Sequence, residues 1–173
     1  MSTGALDGIT VLDLSESIGG QYCARLLADY GADVTLVEPP GGSALRAAAP
    51  FSRDGGSLLF FHLNTGKSSL VFDLDAAAGR TRLADLAREA DIAILPAGMA
   101  HEPLAAANPR LVTATISAFG TDGPLSDWKA PEIVLQALSG MMFNNGLFGR
   151  EPLYGCGARA AFAAGLAAYV GIA

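Results

Sequence analysis

The chain has 173 residues, of which 51% are hydrophobic and 16% are charged, and its formal net charge at pH 7 is −6. That length is enough for one domain with a buried core. The acidic balance and the absence of a Lys/Arg cluster argue against a nucleic acid partner. No apolar run is long enough to span a membrane, and the N-terminus lacks the pattern of a secretory signal peptide. We therefore expect a cytoplasmic protein without membrane association.

The first half of the chain alternates short apolar runs with helical patterns. The pattern predicts strands at 9–14, 33–38 and 69–74, and helices at 21–30 and 75–89. A glycine-containing loop at 15–20 follows the first strand, and Gly31 is a natural C-cap for the first helix. Residues 43–66, which include Arg46 and Arg53, are expected to be irregular. Asp75 is expected to cap the second helix, whose apolar face is supplied by Leu83, Leu86 and Ala87.

The second half continues the same rhythm. We predict strands at 92–95 and 111–117, helices at 101–107, 132–142 and 159–172, and a turn-rich loop at 119–124. The alternation predicts an α/β fold with an open, mostly parallel, Rossmann-like sheet and helices on both faces. We treat residues 1–173 as a single α/β domain. The last helix has no Gly or Pro stop after it, which suggests a truncated product, a fragment or a half that needs a partner.

The first loop suggests one alternative function. Gly19 and Gly20 follow the first strand, and Glu38 ends the second strand about 20 residues later, as in dinucleotide-binding folds. The G-x-G-x-x-G pattern is absent, however, so a close-packed turn without NAD is the better interpretation.

The cysteines and histidines do not form a recognisable site. Cys23 and Cys156 cannot make a disulfide framework or a metal cluster, and both are expected to be buried structural thiols. His62 and His101 lie far apart in sequence, without the spacing of a catalytic triad or a metal site. We therefore predict no metal site.

Six segments in order resemble the family III CoA-transferases, also called the CaiB/BaiF family. The resemblance covers nearly the whole chain and implies the large domain of that family, truncated to its N-terminal part. The segments are LDGITVLDL (6–14), LLADYGADV with VEPPGG (26–42), LNTGKSS with FDL (63–74), ANPRL (107–111), ISAFGTDGP (116–124) and QALSG (136–140).

The resemblance implies a covalent reaction, but this chain lacks one of the groups that the reaction requires. In the family, an aspartate attacks an acyl-CoA thioester to form a mixed anhydride, and CoA then passes to a free carboxylate through an enzyme thioester. That aspartate begins a D-x-x-x-G segment in the last helix. Here the segment starts at Ala161 and ends at Gly165. A methyl group cannot attack a thioester, so the isolated chain is expected to be catalytically degenerate.

The resemblance also implies residues for the rest of the site. Glu132 matches an acidic position close to the family's active site and is the best remaining catalytic candidate. Lys129 matches a lysine that contacts CoA in some members, and Phe72 matches an apolar contact near the adenine. The loop whose backbone lines the CoA site corresponds to Glu16, Ser17, Ile18 and Gly19.

The CoA site implied by the resemblance is partly eroded. Pro96 stands where the family has an asparagine that holds CoA, and it removes both a side-chain amide and a backbone N–H. Pro39 replaces a basic position after the second strand. Fewer charge-assisted contacts to phosphate predict weaker binding of CoA.

Three functional hypotheses remain open. The chain is a degenerate CoA-transferase-like subunit or half that works beside a competent chain, as a homo- or hetero-oligomer, since family members form interlocked dimers. Alternatively it is an enzyme that uses another carboxylate, with Glu132 the best candidate. The third hypothesis is a non-catalytic binding module or decayed fragment.

Overall fold

The architecture follows from five short strands that pair only in parallel. A computed structural model describes residues 4–173. Over these residues the sheet has the order β3-β2-β1-β4-β5. Parallel registers join β1 to β2 and β4, β2 to β3, and β4 to β5. The strands are β1 (Thr10–Asp13), β2 (Asp33–Glu38), β3 (Ser68–Val71), β4 (Ile92–Leu95) and β5 (Val112–Thr115).

Helices cover both faces of this sheet. A 3₁₀ turn at Ala44–Ala47 lies between β2 and the second helix. Among the described residues, no helix has both the length and the apolar character needed to cross a membrane. The helices are α1 (Ile18–Asp29), α2 (Leu58–Asn64), α3 (Ala77–Glu89), α4 (Glu102–Ala107), α5 (Glu132–Leu138) and α6 (Arg159–Ile172).

Alternating strand side chains divide the core into two layers. Leu12 and Leu95 point to the face covered by α3 and α4, where Leu83 and Leu104 are buried. Val11 and the residues of the neighbouring strands in the same layer point to the opposite face of the sheet. There they pack against Cys23, Ala24 and Leu27 of α1, with Ala168, Tyr169 and Ile172 of α6 beside them. This period-2 division is what a buried parallel sheet requires, and it confirms the predicted α/β fold.

Several predicted elements match the structure closely. Strands 33–38 and 92–95 and the helix at 159–172 have the predicted bounds. The strands predicted at 9–14, 69–74 and 111–117 are each shorter by two or more residues. The first helix begins earlier than predicted because the Ser17 hydroxyl accepts the Gly20 N–H and caps it. The helix predicted at 132–142 ends at Leu138, and Gly140 follows with φ of 78°.

Two predictions are wrong and one is right only in part. Residues 43–66 are irregular only in part, because they contain the 3₁₀ turn at Ala44–Ala47 and the helix α2. Ser57 caps α2 through the Phe60 N–H, and the buried Phe60 and Leu63 anchor that helix. Asp75 does not cap α3; its own N–H instead donates to Asp73. Cys23 is buried as expected, whereas Cys156 is exposed.

A buried polar network fixes the carboxyl end of β1. The side chains of Asp13 and Lys67 are both fully buried, and the Lys67 Nζ lies 2.8 Å from Asp13 Oδ2. The same ammonium donates to the Gln21 carbonyl and to Asn64 Oδ1. Asp13 Oδ1 accepts both the N–H and the hydroxyl of Ser15. Every donor of the ammonium therefore has a partner, and the start of the β1–α1 loop is held in place.

The strand order also determines where a ligand can bind. The chain proceeds from β1 to β2 and β3 on one side, then crosses to β4 and β5 on the other. In open α/β sheets the crevice at such a reversal, beyond the carboxyl ends of the strands, is the usual ligand site. Here that crevice lies between β1 and β4.

The buried ion pair gives the first testable prediction. Lys67→Met should lower the free energy of unfolding by about 3–5 kcal/mol, because it leaves Asp13 buried without a compensating charge. The double variant Asp13→Asn, Lys67→Met removes both charges and should be destabilised less than the single variant. Urea unfolding of the three proteins measures this difference. A single variant at least as stable as the double variant would contradict the proposed role of the pair.

Candidate functional site

A cleft lies at the reversal point of the sheet. Its lining comes from the loops that follow three strands: Glu16 and Ser17 after β1, Pro96 and Ala97 after β4, and Ile116 after β5. We call it the loop cleft, and its volume is about 270 Å³. The predicted CoA loop and the eroded segment at Pro96 thus meet in one place.

A second cavity adjoins the loop cleft and shares Ser17 and Ile116 with it. This cavity has a volume of about 430 Å³. One wall is the small-residue face of α6, so we call it the alanine pocket; Ile116, Ser117, Leu135, Ser139 and Met141 supply much of the remainder. The wall residues on α6 are Ala160, Ala161, Ala163, Ala164 and Ala167. Ala161, at the predicted nucleophile position, therefore faces a cavity continuous with the CoA loop.

Close contact of two helix backbones places residue 161 against that loop. A Cβ atom on Gly165 would lie 2.4 Å from the Gly19 carbonyl oxygen, and one on Gly19 would lie 2.8 Å from the Ala161 carbonyl oxygen. Both distances are too short for any side chain. The start of α1 therefore lies directly on the first turns of α6. Near this crossing, the Tyr22 and Phe162 rings pack edge to face with centroids 4.8 Å apart.

Glu132 lies beside Ala161 but is occupied as a helix cap. Its Oε1 accepts the Ala160 N–H at 2.6 Å and the Gln136 amide at 2.8 Å, and its Oε2 accepts the Ala161 N–H at 3.4 Å. An acidic side chain at a helix N-terminus is favoured by the dipole and satisfies free N–H groups. The buried Gln136 continues the contact by exchanging two hydrogen bonds with Gly155. This geometry fits an anchor for α6 better than a free nucleophile.

The other predicted residues are not all brought together. Ser17 and Gly19 line the cavities, while Ile18 between them is half-buried. Phe72 follows β3, two strands from β1; it packs against the core under α3, and the Arg82 guanidinium lies 5.2 Å from its ring centroid. Lys129 is exposed in the segment between β5 and α5 and belongs to neither cavity.

The alternative NAD site is not supported by the environment of Glu38. Its two oxygens accept from the Arg46 guanidinium at 2.6 and 2.7 Å, and from Ser43 N–H and the Ser69 hydroxyl. The hydrogen bonds with Arg46 are the main reason that the pKa of Glu38 falls to about 2. The side chain is 1% exposed. A carboxylate so fully engaged has no lone pair directed at a ribose hydroxyl.

Much of the alanine pocket is not predicted from the sequence. Leu135, Ser139 and Met141 lie on or just after α5 and are not among the predicted site residues. The available signal is the QALSG segment, which contains Ser139 and is flanked by Leu135 and Met141. Among residues 4–173, no group of three His, Cys, Asp or Glu side chains is placed to hold a metal ion.

Comparison with known proteins identifies relatives of this fold. A family model described as CoA-transferase family III matches residues 6–173. The acetyl-CoA:oxalate CoA-transferase of Acetobacter aceti is 36% identical over 152 residues, which cover 83% of this chain and 39% of that protein. The succinate–glutarate CoA-transferase of Agrobacterium fabrum is 36% identical over 163 residues, covering 86% of this chain and 41% of that protein.

Solved structures agree with the sequence relatives. A CaiB/BaiF family protein from Brucella suis superposes with a TM-score of 0.90 at 30% identity, covering 99% of this chain and 48% of that one. A hypothetical protein from Mycobacterium tuberculosis gives 0.86 at 26% identity, covering 99% and 50%. The chain thus spans about two-fifths of the length of these curated relatives and about half of these solved chains.

The crossing of α1 and α6 gives a second prediction. Gly165→Ala should lower the free energy of unfolding by about 1–3 kcal/mol, because the new methyl group collides with the Gly19 carbonyl and forces the helices apart. Gly171→Ala is the matched control: it lies on the same helix, and a Cβ atom there meets nothing within 4 Å. The control should be as stable as the parent or slightly more so. Equal unfolding free energies for the two variants would refute the tight crossing.

Proposed function

The chain belongs to CoA-transferase family III, and we propose that it forms an acyl-CoA-binding part of such a transferase that has lost the nucleophile. The main support for this proposal is the position of Ala161. It faces the alanine pocket, beside the loop cleft, at the position where the family resemblance implies the catalytic aspartate. On this proposal the thioester lies in the alanine pocket, and the group that attacks it is missing.

The chemistry of CoA transfer determines which catalytic group this chain does not supply. CoA transfer requires a carboxylate that acts first as nucleophile and later as leaving group. Ala161 has no such group, and both oxygens of Glu132 accept hydrogen bonds from α6 or Gln136. We propose that Glu132 anchors the start of α6 and that transfer depends on a carboxylate supplied elsewhere.

The source of that carboxylate would be another part of the assembly. The match to about two-fifths of each curated relative supports the interpretation that residues 1–173 correspond to an N-terminal portion of the family's large domain. The complete transferase then needs a CoA-transferase-like partner, as a homo- or hetero-oligomer. A cytoplasmic location belongs to the same proposal.

CoA is the proposed ligand, held more weakly than in a complete site. Glu16 and Ser17 offer the loop that lines the cleft, but Pro96 offers no backbone N–H there. Lys129 and Phe72 lie outside the two cavities. We propose that they contact the distal parts of CoA, so the loop supplies the main recognition.

A non-catalytic binding module is the competing function, because the same cavities can hold acyl-CoA without any turnover. The two functions share the CoA site and differ only in whether a partner completes the chemistry. Absence of CoA binding would remove both and leave a decayed fragment.

Calorimetric titration of CoA into the purified chain tests the proposal. We expect saturable binding, and Glu16→Lys should tighten it by about 1 kcal/mol, or about fivefold, because it replaces an anion in the loop cleft by a cation that attracts the phosphates. Glu89→Lys is the matched control: it makes the same charge change at the exposed end of α3, just before the amino end of β4, whereas the loop cleft follows the carboxyl ends of the strands.

The control should leave the affinity unchanged. No binding at millimolar CoA would overturn the proposed function. Equal effects of the two charge reversals would show that CoA binds outside the loop cleft.

A further inference from the structure

We propose that the acyl group bound in the alanine pocket is uncharged, an inference that rests on the proposed function and specifies its substrate class. The relatives named above are named for one uncharged acyl donor, acetyl-CoA, and for three dicarboxylates, oxalate, succinate and glutarate. An acyl group derived from such an acid carries a second carboxylate beyond the thioester. The chemistry of this pocket does not match that charge.

The lining of the alanine pocket carries no charged side chain. It is lined by alanines, by the larger apolar residues Ile116, Leu135 and Met141, and by Gly19 and three serines. No Asp, Glu, Lys, Arg or His belongs to the lining formed by the described residues. Moving a carboxylate from water into such surroundings is costly unless a cation or several donors meet it.

The helix N-terminus beside the pocket cannot replace the missing cation. The first N–H groups of a helix often bind an anion. Here the N–H groups of Ala160 and Ala161 already donate to the Glu132 carboxylate. That carboxylate adds a negative charge next to the pocket, which opposes entry of a second anion.

One cation lies near the pocket without lining it. Arg159 is exposed at the start of α6 and borders a separate cleft with Asn144 and Asn145. Met141 lines both cavities and stands between them. The Arg159 guanidinium packs against Gly155, and Arg159 does not line the alanine pocket, so the lining offers a carboxylate no ion pair with it. The pocket favours an alkyl or aryl acyl group, whose burial is favourable in proportion to its apolar area.

The test compares two acyl groups of equal length. Butyryl-CoA and succinyl-CoA both carry four-carbon acyl groups on the same CoA, and differ mainly in the terminal carboxylate. Calorimetry should show butyryl-CoA binding more tightly than free CoA, and about tenfold more tightly than succinyl-CoA. Succinyl-CoA binding as tightly as butyryl-CoA, or more tightly, would overturn the inference.

Failure of the proposed function gives a different result. In that case none of the three ligands binds. If CoA binds and butyryl-CoA binds no better than CoA, the acyl group does not enter the pocket, so the inference fails while the proposed function stands. A succinyl-CoA preference that disappears in Arg159→Gln would also overturn the inference. The acyl group would then lie in the separate cleft that Arg159 borders, on the other side of Met141.

A charge introduced at the pocket rim gives a second, independent readout. Ala167 lines the pocket and is exposed, so Ala167→Arg should fold and should shift the preference toward succinyl-CoA by about tenfold. Val170→Arg is the matched control, since Val170 is exposed on the same helix and outside the pocket. It should leave the preference unchanged. Equal shifts in the two variants would show a general charge effect and overturn the inference.

Discussion

The close contact between α1 and α6 is the constraint on which the site depends. Gly19 and Gly165 allow the two backbones to approach until no side chain fits between them. This contact sets the first turns of α6 against the loop after β1, although about 140 residues separate them in sequence. Without it, residue 161 would not share a cavity with Ser17 and Gly19. The buried pair of Asp13 and Lys67 stabilises the same arrangement, because it fixes where the β1–α1 loop begins.

Much of the fold could be predicted from local pattern. Apolar runs such as 92–95 are buried on both sides in a parallel sheet, so their bounds and their helical connections are legible in sequence. The prediction failed where a cap or a turn residue decided the outcome. Ser57 caps α2 within a segment that was expected to be irregular. Asp75 was expected to cap α3, but α3 begins without a side-chain cap. Such choices depend on one hydrogen bond, which competes with several similar ones nearby.

The candidate site was predictable only in part, for a different reason. Ala161, Glu132 and the loop at 16–19 could be singled out through family resemblance, and the structure brings them together. The small-residue wall of α6 could not be assigned to a pocket, because alanines also suit a packed helix. Nor could the sequence show that Glu132 caps α6, since that depends on a contact between residues 28 positions apart. Glu132, which the resemblance places near the active site, thus holds the start of α6 in position.

We propose that the site has kept its shape and lost one reacting group. Mass spectrometry of the Ala161→Asp variant after incubation with butyryl-CoA tests this directly. The introduced carboxylate should attack the thioester carbonyl and form a mixed anhydride while CoA thiolate leaves, and trapping should locate the acyl group on residue 161. The parent chain, with the same ligand bound, should form no adduct there. A variant that binds butyryl-CoA as tightly as the parent, yet forms no adduct at that position, would show that residue 161 does not lie at the reacting centre.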